Sequence, residues 1–96
     1  MMIMKQQRND NSPLYKSMIK DIMTKCEKEI QETKNNDKMM TSCEVKFNYS
    51  TIYLQKNYNC ITRAFRYVHM ELMKKGYIAS YKITRCSLCW MIITWE

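Results

Sequence analysis

Leu88-Cys89-Trp90-Met91-Ile92-Ile93-Thr94-Trp95 is the stretch on which the fold turns. Its length and its β-branched and aromatic content read as a strand. Side chains alternate across a strand, so Cys89, Met91, Ile93 and Trp95 share one face and Leu88, Trp90 and Ile92 the other. Both faces are apolar. A strand covered on one side only would carry polar residues at every second position. This one is therefore expected to be central, to be covered on both faces, or to engage another chain.

Upstream, Arg85–Ser87 reads as a turn, and Tyr77, Ala79, Tyr81 and Ile83 alternate with Ile78, Ser80, Lys82 and Thr84 as a second strand. The single glycine, Gly76, follows Lys74 and Lys75, which suit the negative end of a helix dipole. It is expected to be a left-handed helix stop with Tyr77 or Ile78 packing back. The helix it ends begins near Asn57 or Asn59 and buries Ile61, Ala64, Phe65, Val68 and Leu72. Cys43, Val45, Phe47 and Tyr49 alternate with Glu44, Lys46 and Asn48 in another strand, and residues 50–56 read as a bulge or loop. Ser12 and Pro13 open a first helix over about 13–34, with Leu14, Met18, Ile22, Cys26 and Ile30 at four-residue spacing and Tyr15, Ile19 and Met23 beside them. The order is helix–strand–helix–strand–strand. The expectation is an α+β two-layer sandwich with two helices on one face of a small sheet, occupying residues 12–96 behind a flexible arm at 1–11.

Ninety-six residues, 46% of them apolar, are enough for one domain with its own core. The net charge is +7, with only +2 in residues 1–41 and +5 in residues 42–96. A basic C-terminal half points to anionic partners, although such charge also serves solubility alone. Five cysteines are an odd count spread through regular elements, which argues against a secreted disulfide scaffold. The residues 1–11 are too polar for a secretory signal, and no apolar run nears the ~20 residues of a membrane span. The expected setting is intracellular and cytoplasmic, with no membrane partner.

Cys86-Ser87-Leu88-Cys89 is the one chemically suggestive spacing. It supplies half a zinc site or a dithiol, but Cys43, Cys60 and His69 are not at ligand spacing from one another, and the pair enters a strand rather than a helix N-terminus. The plainer reading is a turn cysteine and a core cysteine, with no metal and no cofactor. His69 is the only histidine and reads as a solvated helix-border residue. One glycine cannot build a phosphate-cradling loop. These readings exclude the common catalytic constellations, so no enzyme activity is expected.

Arg63, Arg66, Lys74, Lys75, Lys82 and Arg85, interleaved with Tyr58, Tyr67 and Tyr81, form a candidate nucleic-acid surface. The plainer alternative is a solvated helix face and core tyrosines. A basic helix followed by a hairpin resembles the end of a winged-helix domain, but residues 43–54 read as strand where that fold needs a helix.

Leu72-Met73-Lys74-Lys75-Gly76-Tyr77-Ile78, then a hairpin and Ile93-Thr94-Trp95, resembles small helix–strand–helix–hairpin proteins of phages and giant DNA viruses. The abundance of Lys, Asn, Ile, Met and Tyr, all with AT-rich codons, points the same way. The resemblance implies a viral accessory or virion protein and brings no catalytic residues with it. The expected function is a non-enzymatic interaction or assembly module, self-associating through Leu88, Trp90, Ile92 and Trp95 of the last strand. Ten methionines suit adaptable contact surfaces. Nucleic-acid binding by the basic half is the alternative. Trp90 and Trp95 have opposite parity, so one should pack beneath the helices and the other face away from them.

Overall fold

The apolar stretch forms β3, Leu88–Thr94, and it is the central strand of a three-stranded antiparallel sheet. In this computed structural model, which describes residues 13–84 and 87–95, β3 lies between β1, Ser42–Asn48, and β2, Ile78–Ile83. The helices are α1, Pro13–Asn36, α2, Thr51–Lys56, and α3, Tyr58–Lys74. The chain is thus α+β, with α1 against β1, α3 against β2 and the two long helices against each other. The proposed arm at 1–11, the Ser12 cap, Arg85 and Cys86 lie outside the described residues.

Register explains the layering. Val45 sits opposite Met91, Phe47 opposite Cys89, and Ala79 opposite Ile93. All six are buried, so the helices cover this face. The buried stripes of α1 (Tyr15, Met18, Ile22, Cys26, Ile30) and α3 (Ile61, Ala64, Phe65, Val68, Leu72) complete a single core cluster. Leu14, read as part of the α1 stripe, is exposed. Strict four-residue spacing overshoots a helical turn by about 40° per step, so over four steps the first residue swings off the face that Ile30 occupies. Tyr15 takes the place at that end.

Residues 50–56 are a short helix rather than a bulge or loop. Ser50 is extended, and its Oγ accepts from the Tyr53 N–H at 3.1 Å, the geometry of a serine N-cap. Ile52 and Leu54 would share a face on a strand. On the helix they separate, and Ile52 is exposed while Leu54 is buried. Asn57 then joins the two helices: its N–H and its Nδ2 both donate to the Tyr53 carbonyl, and its own carbonyl accepts from Ile61.

Helix α3 stops as its sequence indicates. Gly76 has φ +97°. Its N–H donates to the Met73 carbonyl at 3.0 Å and the Tyr77 N–H to the Leu72 carbonyl at 3.1 Å, the paired bonds of a Schellman stop. Tyr77 packs against the core.

Candidate functional site

The sheet face that none of the described helices covers carries the second set of β3 side chains. Leu88, Trp90 and Ile92 run along its middle, with Leu88 37% and Ile92 41% exposed and Trp90 partly so. On β1 their partners are Asn48, Lys46 and Glu44. On β2, Lys82 faces Trp90 and Ser80 faces Ile92. Trp90 therefore stands between two lysines, one on each neighbouring strand, and both are exposed. At the far end Ile78, 67% exposed, lies opposite Thr94. Trp90 makes no ring contact with another described aromatic, and neither Lys46 nor Lys82 pairs with a described acid.

Trp95 does not belong to this face. It has the parity of Cys89, Met91 and Ile93, is partly buried, and packs against the core. Tyr77 meets it edge-on at 6.3 Å, and the Lys34 ammonium lies 5.4 Å from its ring centre. The expected interface of Leu88, Trp90, Ile92 and Trp95 is corrected accordingly: three of the four share the open face, and Trp95 closes the core at the other side.

The basic residues do not form one patch. Arg63 and Arg66 lie on α3 beside Tyr15, Tyr67 and Met70 around a hollow of about 220 Å³, and the Arg63 guanidinium sits 5.9 Å from the Tyr15 ring centre. Twelve residues of helix, about 18 Å, separate Arg63 from Lys75. Lys75 pairs with Glu27 at 2.9 Å and Lys74 with Glu71 at 3.3 Å. Lys82 points to the opposite side of the sheet, since Ala79 of the same strand is buried beneath the helices and residues 79 and 82 have opposite parity. Arg85 lies outside the described residues.

On each sheet edge one outward carbonyl is occupied by a helix side chain. The Trp95 N–H donates to Thr41 and the Tyr49 N–H to Ser87, so odd-numbered β3 residues exchange backbone bonds with β1 and even-numbered ones with β2. The remaining backbone groups of the edge strands point outward. On β1 the outward carbonyl of Lys46 accepts from Lys25 Nζ at 2.7 Å. On β2 the outward carbonyl of Ala79 accepts from His69 Nε2 at 2.7 Å. His69 is thus no solvated border residue. It ties α3 to the sheet edge and lies against Tyr81 at 5.5 Å.

The described thiols are poorly placed for chemistry. Cys26, Cys43, Cys60 and Cys89 are free. Burial raises the pKa of each, that of Cys26 to about 12. A thiol held protonated is a weak nucleophile and a weak metal ligand. Cys26 Sγ instead lies 3.8 Å from Met91 Sδ inside the core. Cys89 faces the helices within the core. Among the described residues no three His, Cys, Asp or Glu side chains gather as a metal site. No described helix is long and apolar enough to cross a membrane.

No family model, curated protein or solved structure matches the chain.

Proposed function

We propose that this chain is a small non-enzymatic binding module that works through the helix-free face of its sheet. The observation that carries this reading is the central row Leu88–Trp90–Ile92, an apolar surface on a strand whose other face is fully buried. Large apolar side chains set side by side in water bring little stability and invite association, which is the signature of an interface. The described thiols and His69 are occupied in the core or at the sheet edge, so they add no competing catalytic reading.

A second copy of the chain is one possible occupant, and size weighs against it. Seven residues of strand and three strands give a face of about 24 by 14 Å, or roughly 300 Å² in outline. Even doubled for surface relief, this falls short of the ~800 Å² per partner in a stable complex. Lys46 and Lys82 would also be brought into that contact. The resemblance to phage and giant-virus proteins adds a viral accessory or virion role as the setting of this reading.

The test separates a residue kept for binding from one kept for stability. Trp90→Ser should leave the chain folded, with a loss of about 0.5–1.5 kcal/mol from two cross-strand contacts. Acrylamide should quench Trp90 readily in a Trp95→Phe background. A destabilisation of 3 kcal/mol or more, or a protected Trp90, would place this side chain in a covered core and remove the reading.

A further inference from the structure

The open face also indicates what it binds. We propose that it takes a single-stranded nucleic acid, with one base stacked on Trp90 and the backbone phosphates on either side of that base held by Lys46 and Lys82. This rests on the open face being the working surface.

Three features converge on that chemistry. The first is the indole itself, which is partly exposed, has no aromatic partner among the described residues and stands in register between two lysines. Every base offers a π-face, so a free aromatic ring is a sequence-tolerant stacking platform. The second is the symmetry of charge. Lys46 and Lys82 are the register partners of Trp90 on the two outer strands, so their Cα atoms stand about 10 Å apart with the ring between them. Cations on both sides of one stacking ring match a base whose backbone carries a phosphate before and after it. The third is the floor. Leu88 and Ile92 lie about 7 Å from Trp90 along the strand, next to Asn48 and Ser80, and offer apolar and hydrogen-bonding contacts to neighbouring nucleotides. Glu44, opposite Ile92, is the one acid on the face of β1. It repels phosphate there and places the strand's path toward the Leu88 end.

Duplex nucleic acid does not suit this face, because its bases are already stacked on one another and offer Trp90 no free π-face. The α3 arginines are no part of the site, since α3 lies on the other side of the sheet.

The experiment is a titration of labelled oligothymidylate and oligouridylate with the full chain at low salt, in parallel with a duplex. The expected result is binding of single strands with quenching of tryptophan emission, and weaker binding of the duplex. Two phosphate contacts give a slope of about −1.4 in log K against log salt. Trp90→Leu should weaken binding by roughly tenfold or more. Lys46→Gln with Lys82→Gln should weaken it and flatten the salt dependence, while Arg63→Gln with Arg66→Gln leaves it unchanged. Binding that follows the arginines instead overturns the proposal. So does the absence of single-strand binding while Trp90 stays open to acrylamide, an outcome that leaves the open-face reading standing with another occupant. A dimer in sedimentation that Trp90→Leu dissolves assigns the face to a second copy, and binding to anionic vesicles but not to oligonucleotides assigns it to a lipid surface. Both overturn the proposal.

Discussion

Trp95→Ser should destabilise the chain far more than Trp90→Ser, although both remove a tryptophan from the same terminal segment. The magnitude follows from the surroundings of Trp95. Its edge-on contact with Tyr77 adds about 0.5–1.5 kcal/mol beyond area burial. The Lys34 ammonium, 5.4 Å from its ring centre, adds about 0.5–1 kcal/mol. A fully buried tryptophan costs about 3–5 kcal/mol on truncation, and Trp95 is only partly buried. A loss of about 2–3 kcal/mol is therefore expected, or a fall in melting temperature of roughly 10–20 °C for a domain of this size. Urea and thermal unfolding followed by far-ultraviolet circular dichroism measure it directly. A double-mutant cycle with Lys34→Met should return a coupling of about 0.5–1 kcal/mol. Equal losses for Trp95→Ser and Trp90→Ser would refute the assignment of the two rings to opposite faces.

Gly76→Ala should cost about 1 kcal/mol through backbone strain alone, because φ is +97° and an added Cβ would meet no atom within 4 Å. Gly76→Asn, better tolerated in that conformation, should recover part of the loss in the same unfolding assay. His69→Phe keeps a ring beside Tyr81 but leaves the Ala79 carbonyl without its donor. It should cost about 1 kcal/mol and speed amide exchange in β2. Stability should also fall at alkaline pH. Burial first, then Cys43 and Glu27, holds the Cys26 thiol up at about 12, whereas the unfolded chain loses that proton near 8.5. The stabilisation is fully present below the unfolded value and is lost as pH rises towards 12, at about 1.4 kcal/mol per pH unit from this thiol. Urea midpoints between those limits should show a decline that Cys26→Ala shallows, while Tyr49, also raised to about 12 by burial, retains a part above pH 10.

Much of the architecture is legible locally. The period of α3, its glycine stop and the parity of β3 each depend on residues within one element. The failures have physical causes as well. Ile52 and Leu54 look alike in a two-residue pattern, and the Ser50 cap that makes them helical is a single hydroxyl. The candidate site is half legible. Leu88, Trp90 and Ile92 follow from parity, but both faces of β3 are apolar, so its own residues do not say which set the helices cover. That choice comes from the partners: Val45 and Phe47 can meet only the set opposite them. Lys46 and Lys82 each show as polar positions on their strands, yet their alignment on either side of Trp90 depends on register across more than thirty residues of chain. The grouping of Lys82 with the α3 arginines failed for the same reason, because closeness in the chain says nothing about sides of a sheet.

The treatment of the edges bears on the meaning of the face. Exposed β-edges are the usual route to unwanted pairing, and here each edge strand has an outward carbonyl occupied by a side chain from a helix, Lys25 on β1 and His69 on β2. Charges on the face do the same work in part, since Lys46 and Lys82 border the apolar row and oppose its stacking on an identical row. Yet the row itself is left apolar, with a tryptophan at its centre, where serine or threonine would serve a sheet of this kind as well and with less risk of aggregation. Stability does not ask for Trp90: cross-strand contacts of this sort contribute under about 1 kcal/mol each. A stacking platform does ask for it, and for cations at its two sides. Chains that associate without limit gain from bare apolar rows and open edges; here one outward carbonyl on each edge is occupied and the row has a charged border, features that favour the proposed anionic, strand-like partner over a copy of the chain.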